Sequence, residues 1–591
     1  MSAVFEAGGH IPGLPGFVFG VASGAGVTAT PSFSPGAGSY ASTQTVTITC
    51  STPSSSIYFT TDGTTPTFPI TGSTALYTAP ITVASTETVK AIGVATGLAN
   101  SAVGSATYTI GGTTFNFFIS TTGSDSNSGT SVGSPWAITS LIDNNSNNHL
   151  IAGKNVGLIA GTYDISALTS GDFPGSNSNN YPYPILHLPA GSATASTYIA
   201  SCNSSGVYTA RASTIIITAS NTGCNSIMGQ DQGGNGYWTI DGIVFDGGGT
   251  FPSTGGFQGG NGGDLISYFP SGLSAGPAVI QNCELRNLII TSGSGENKSL
   301  LSMQGQANSV ITNCYFHDLA HPSDTFHCHA IECYNSNGAQ ISLNTFVNCN
   351  SAIDFKVNNV GGNVFGNYVA PTTINGAFFG FDGNQLTQTN IANSIHHNVF
   401  DNAGQVREND VNSTILQNIN FYNNTVYDTR SGSKTIVDLR CTGTGNSSTV
   451  YNNIYVSTTG SGSASGAYAI ISPPNSTISD YQCFAFATLT QMWGVNYPAS
   501  VVTFNSLASW QASSTAGNPD AHSISGGSSF PAFVSSITVG NGPTQFQLGG
   551  SSPCLNAGKT GGTSGGSSVN MGAWDGTYST IGANFVSYPG S

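Results

Sequence analysis

Residues 282–285 read NCEL, and the pattern returns as NCYF (313–316), NTFV (344–347), NVFG (363–366), NVFD (398–401), NTVY (424–427) and NIYV (453–456). The starts lie 31, 31, 19, 35, 26 and 29 residues apart. A short strand-like unit that recurs at irregular intervals implies loops of variable length joining strands that keep one register. That is the pattern of a coil of parallel strands. Equivalent residues on successive turns of such a coil stack about 4.8 Å apart. An inward Asn at each bend then bonds the backbone and the amide of its neighbour. Asn282, Asn313, Asn344, Asn363, Asn398, Asn424 and Asn453 are therefore expected to mark corners, with Cys283 and Cys314 as small fillers of one column.

Three further segments carry a resemblance. FNFFISTTGSDSNSGTSVGSPWAITSL (115–141), SSPCLNAGK (551–559) and VNMGAWDG (569–576) are similar to the opening and closing segments of right-handed parallel β-helix proteins of the pectate-lyase-like group. GSDSNSG (123–129) has oxygen-bearing residues at alternate positions, as calcium loops do. It reads more simply as a turn.

Residues 27–110 follow another pattern. TVTITC (45–50), SIYFTT (56–61), ALYTAPITV (75–83), TVKAIGVA (88–95) and ATYTI (106–110) alternate, and turn signals such as TDGTTP separate them. Short alternating strands of this kind suit a small β-sandwich. The stretch resembles the Ig-like module at the C-terminus of chitobiase-type β-hexosaminidases. The resemblance implies an accessory or spacer and no catalysis.

The bulk numbers exclude several functions. The chain has 591 residues, enough for two or more domains, and 77 of them are Gly. Eleven Lys and Arg face 26 Asp and Glu, for a net charge of −15. Such a field repels nucleic acid and anionic membranes. No run of 18 apolar residues indicates a membrane-crossing helix. The eleven cysteines include no CxxC pair and read mainly as buried thiols. No nucleophile elbow, phosphate loop or dinucleotide fingerprint stands in a usable context, and no cofactor is expected. Residues 1–26 are rich in Gly and Pro, with Glu6 early and no Lys or Arg before Lys90. That is unlike a secretory signal peptide and suits an anchor or docking segment. The expected organisation is this segment (1–26), the Ig-like spacer (27–111), a right-handed parallel β-helix (112–480) and a β-rich closing region (481–591), all-β throughout.

Charged residues are only 6% of the chain, yet SAIDFK (351–356) places Asp354 and Lys356 on one side of a strand. HAIECY (329–334), AFFGFD (377–382), QVREND (405–410) and TIVDLR (435–440) align with it. Strand alternation turns Ile331, Cys333, Ile353, Phe355, Phe379, Phe381, Val437 and Leu439 inward. Glu332, Asp354, Gly380, Glu408 and Asp438 then form one outward column, and Tyr334, Lys356, Asp382, Asp410 and Arg440 the next. At 405–410 either parity leaves polar residues inside, and Arg407 is the alternative outward group. Stacked carboxylates raise each other's pKa, which suits a general acid. Asp354 and Glu408, with Gly380 leaving a notch between them, are the catalytic candidates. At two rungs their separation suits a glycosidase that inverts the anomeric centre. Glu332, Tyr334, Lys356, Asp382, Asp410, Asp438 and Arg440 are the candidate substrate-binding groups. HDLAHPSDTFHCH (317–329) gathers four His and two Asp, but its spacing matches no defensible zinc pattern, and no metal is expected.

A short N-terminal anchor, an Ig-like spacer and a long β-helix together resemble a phage tail fibre or tailspike. The resemblance implies a homotrimer on the virion surface that binds, and in some members depolymerises, a host surface glycan. The N-terminal segment would dock to a tail or capsid protein. A secreted bacterial polysaccharide lyase or hydrolase is the alternative, with Lys356, Arg407 and Arg440 neutralising a uronate. A non-catalytic adhesin or structural fibre, extracellular or on a cell surface, is the third reading.

Overall fold

The computed structural model describes residues 26–582 apart from intervening segments, among them 143–151, 169–184, 217–225, 252–263, 383–390, 458–469 and 513–520. The chain divides into two compact units, Met1–Gly112 and Thr113–Ser591. Residues 1–25 lie outside the described residues, and with them all but the last residue of the expected docking segment.

The first unit is built from two sheets. One pairs Ser32–Ser34, Gln44–Thr49 and Ile81–Val83 antiparallel. The other runs in the order Gly38–Tyr40, Gly104–Ile110, Glu87–Val94, Ser56–Thr60, Ala75–Leu76. Val46, Ile48, Val83, Val89, Ala91, Ala106 and Tyr108 form the core between them. Their alternation with exposed Thr and Ser is the period of two that a sandwich face requires.

The second unit is a parallel β-helix. Three sheets of twelve strands each are formed by residues that recur once per turn of the chain. At about 4.8 Å per turn the coil is roughly 50 Å long. The first sheet runs from Phe117–Ile119 to Thr477–Asp480, the second from Gly161–Asp164 to Ile524–Gly526, and the third from Leu186–His187 to Val502–Phe504. Every pairing is parallel except the last, where Val502–Phe504 turns back against Trp493–Val495. Parallel stacking passes residue 480, because Cys483–Phe486 pairs with Ile454–Ser457. Leu507 and Trp510 of the short helix Leu507–Gln511 pack against the same core.

The bend between the first and second sheets explains the repeat. It is two residues long, a left-handed residue followed by an inward one. The left-handed position is filled by Gly242, Asn282, Asn313, Leu343, Gly366, His397, Asn423, Asn452 and Tyr481. Asn and Gly tolerate that region best, so they dominate it. The inward position is a ladder. The backbone N–H of Cys314 donates to Asn344 Oδ1 at 2.9 Å. Asn344 donates to Asn367, Asn367 to Asn398, Asn398 to Asn424, Asn424 to Asn453, and Asn453 to Gln482, each through backbone N–H and side-chain amide. All six side chains are solvent-free. A buried amide is tolerated because every donor finds an acceptor.

Two alignments of the sequence reading change here. Tyr315 pairs with Thr345, so Cys314 rather than Asn313 shares the column of Asn344. Asn282 and Asn313 occupy the left-handed position instead. Asn363 is the first residue of a first-sheet strand, in register with Gln340 and Ser394. Asn367 is the true ladder member, four residues later.

On the outer side of the second sheet the surface changes along the axis. Early turns carry charge, whereas later turns carry Tyr368, Val399, Tyr427, Ile454, Val456, Cys483 and Ala485. Phe533, Phe546, Cys554, Met571 and Ile581 cover this apolar half. The covering chain is pinned where Gly572 donates to Asn452, Ala573 to Thr425 Oγ1, and Gly582 to Gly366.

Candidate functional site

The third sheet holds the acids read from the sequence. Glu332 pairs with Asp354, Asp354 with Gly380, Gly380 with Arg407, and Arg407 with Asp438. Glu408 shares its register position with Phe381 and Leu439. Asp354 and Glu408 are therefore not in one column, and the two-rung spacing argued for them does not hold. Val406 decides the register, because it pairs with Phe379 and Val437. In the neighbouring column Asp382 pairs with Asn409, and Asn409 with Arg440, so Asn409 stands where Asp410 was expected. The side chains of Lys356, Asp382, Arg407, Glu408, Asp438 and Arg440, and all of Asp410, lie outside the described residues. Tyr334 is half-buried, one turn from Lys356.

Glu332 and Asp354 differ from expectation in exposure as well. They are only 5% and 3% exposed. His329, solvent-free, places Nε2 3.3 Å from Asp354 Oδ2. Ile331, Cys333, Ile353 and Phe355 face the core as the alternation requires. Their burial and the two acids nearby push the Cys333 thiol well up. The two acids are thus drawn in, beside a buried imidazole, from the outward column expected of them.

A second ionic cluster escaped the sequence reading because its members lie between residues 211 and 318. Register brings them together on the outer face of the second sheet. Asp246 pairs with Arg286, and Arg286 with His317. Two residues earlier Val244 pairs with Glu284, and Glu284 with Tyr315. Between these columns Phe245, Leu285 and Phe316 point into the core. Arg286 Nε donates to Asp246 Oδ2 at 2.8 Å, and its Nη1 donates to Glu284 Oε1. Arg211 approaches Glu284 Oε2 at 3.8 Å. His317 lies 3.3 Å from Glu284 through Nε2 and 2.8 Å from Asp318 through Nδ1, and its ring stacks on Tyr315 with centroids 4.2 Å apart.

Local backbone sets this geometry. Asn287, Asp318 and Asn348 each adopt a left-handed conformation just after the Arg286, His317 and Val347 positions. The amides of Asn287 and Asn348 donate to Asp246 and Asp318. Burial alone would raise the Glu284 carboxyl, but the hydrogen bond from His317 and the charge of Arg286 hold it below its ordinary value. Burial works against the Arg286 charge too, and Asp246 and Glu284 outweigh it. Glu284 and Arg286 are thus held together in their charged forms. Arg286 is 32% exposed and Asp318 40%, against 12% for Glu284. Arg286, Asp318 and the Tyr315–His317 pair offer donors, acceptors and an aromatic surface side by side.

Asp401 is a buried acid with no ion pair among the described residues. Asp401 accepts from the Tyr368 hydroxyl and from the Gly540 N–H, both at 2.7 Å, through Oδ2. Its Oδ1 is enclosed and has no hydrogen-bond partner among the described residues. Desolvation raises its carboxyl to about 6 against these two hydrogen bonds.

On the first sheet Phe365, His396, Tyr422 and Tyr451 stack in a column at 5.3, 4.7 and 4.9 Å. Each inner ring face is covered by the next ring, so the column is no platform for a sugar. Residues 123–129 form a turn, with Asn127 donating to Pro135 O and Trp136 donating to Asn127 O. Of the His cluster, His321 is buried beside Asn350, and Asp324 and His327 lie outside the described residues. Among the described residues no group of three or more His, Cys, Asp or Glu side chains is arranged to hold a metal ion.

Comparison with known families agrees with the first unit. Residues 35–109 match the family described as Chitobiase/beta-hexosaminidase C-terminal domain. The match covers most of the first unit and none of the coil. No curated protein matches the chain.

Proposed function

We propose that this chain is a surface appendage protein of the tail-fibre or tailspike kind, and that its coil binds a host surface polysaccharide. The observation that carries the reading is the ionic cluster on the second sheet. In a chain with 6% charged residues, Asp246, Glu284, Arg286, His317 and Asp318 meet on one outer face, where Arg286 and Asp318 remain accessible. Sugar hydroxyls are recognised by fixed carboxylate and guanidinium groups beside an aromatic ring. The Ig-like unit then serves as a spacer, and three parallel copies would present three equivalent faces.

Binding to an array of bacterial surface polysaccharides tests the reading. Wild-type protein should retain at least one glycan, and Arg286→Ala should lose at least tenfold in affinity for it. Equal retention of that glycan by the variant would overturn the assignment of the site. Release of reducing ends from the bound glycan would add depolymerisation, and release of unsaturated uronates would favour the lyase alternative. Light scattering should give three times the chain mass.

A further inference from the structure

Cys483 belongs to the second sheet, in the strand Cys483–Phe486, and Cys554 belongs to the covering chain 71 residues later. Both are solvent-free and unbridged, and their sulfur atoms lie 2.7 Å apart. Both ends of this contact are fixed. The Cys483 N–H donates to Asn453 O at 2.8 Å, next to the ladder. Cys554 receives the Met571 N–H on its carbonyl at 3.0 Å, and its own N–H donates to Ser552 Oγ at 3.2 Å. Tyr481, Ile454, Val456, Phe546 and Met571 belong to the same apolar cluster. Burial and mutual proximity push the Cys483 thiol well up, so in the closed structure it is not a nucleophile.

We infer that Cys483 and Cys554 form a disulfide that staples the covering chain to the coil, and that it forms as this chain docks. The sulfurs already sit closer than an ordinary thiol contact and need only a small movement to reach the bond length of about 2.05 Å. Formation joins Cys483 Sγ to Cys554 Sγ and releases two protons and two electrons. A small-molecule disulfide such as oxidised glutathione accepts them and leaves as two thiols. The thiolate that starts the exchange is available before docking, when the sulfur is still in water. The inference does not depend on what the coil binds.

The test is peptide mapping of the wild-type protein. No Lys or Arg lies between Arg440 and Lys559, so trypsin leaves both cysteines on one fragment. Cleavage before Asp480, Asp520 and Asp575 separates them onto two peptides with one Cys each. Protein refolded from urea with a mixture of oxidised and reduced glutathione, and native protein exposed to the same mixture, are alkylated and digested without reduction. The expected result is one cross-linked species, two hydrogens lighter than the summed peptides, in the refolded sample. Equally fast formation in the native sample would keep the bridge but overturn its forming on docking. Two alkylated peptides and no cross-linked species in both samples would overturn the inference. A functional reading accompanies it. Oxidised wild-type protein should resist proteolytic clipping within 531–559 at least tenfold longer than the reduced form, and Cys554→Ala should show no difference between the two conditions. Equal clipping of oxidised and reduced wild type would show that the bond is no staple.

Discussion

Replacing Asp401 by Asn should change how firmly the covering chain is held, by an amount that depends on pH. In the closed structure burial raises this carboxyl from 3.8 to about 6. When the chain around Gly540 lifts, water restores the ordinary value. A carboxyl with a raised closed-state pKa favours closure when it is protonated. Its contribution is therefore full below about pH 4, declines as pH rises through about 6, and is lost above that. Two pKa units at 1.36 kcal/mol each give about 3 kcal/mol between the limits. Asn keeps an acceptor for the Tyr368 hydroxyl and the Gly540 N–H, and has no proton to lose. It also sets an amide where Oδ1 now stands without a partner, at a cost of about 1–3 kcal/mol that does not vary with pH. Comparing the variant with wild type at about pH 4 and about pH 7.5 removes that constant. The assay is amide hydrogen exchange of peptides covering 531–550, corrected for intrinsic chemistry. Relative to wild type, the opening free energy of Asp401→Asn should rise by about 3 kcal/mol between the two conditions, or roughly 100-fold in exchange rate. Parallel pH dependence in the two proteins would refute the linkage.

Other outcomes follow from the same structure. Asn398→Ala removes the acceptor for two Asn367 donors and two donors of its own, and should destabilise the coil by at least about 2 kcal/mol, read from unfolding in denaturant. Glu408→Gln should leave glycan turnover unchanged, because its register position is that of Phe381; a hundredfold loss would restore it as a catalytic candidate. Asp354→Asn should lower thermal stability while glycan affinity stays within twofold, since the acid is only 3% exposed. Binding that falls with Asp354→Asn at unchanged stability would reopen the third sheet as the site.

The coil was legible in the sequence because its bend imposes a residue type. A left-handed residue recurs where the second sheet begins, and on five successive turns an inward Asn follows it, whatever the loop lengths. The same rule misled at single positions, since both members of the pair can be Asn. NCYF opens on the left-handed residue, and NTFV opens on the ladder residue. NVFG begins in a different strand, and the real signal there is NYVA (367–370). The third-sheet acids were legible as an alternation, but their burial was not, because exposure depends on neighbouring turns. At 405–409 the pattern QVREN offers one strongly apolar residue, Val406, too little to fix parity without the pairing of Phe379. The second-sheet cluster had no local signature at all. VFD (244–246), ELR (284–286) and YFH (315–317) become neighbours only once the turns are counted correctly.

The apolar half of the second sheet has a consequence for biosynthesis. Tyr368, Val399, Tyr427, Ile454 and Val456 emerge from the ribosome long before Phe546, Met571 and Ile581, which cover them. At about 5–20 residues per second, the gap between Ile454 and Ile581 lasts several seconds or more. During that time the growing coil carries a bare greasy strip on an otherwise hydroxyl-rich surface. A messenger cut short before residue 533 would yield coils that adhere to one another through that strip. Phe533, Phe546, Met571 and Ile581 therefore act as a late seal, and until they arrive the strip stays open to other chains.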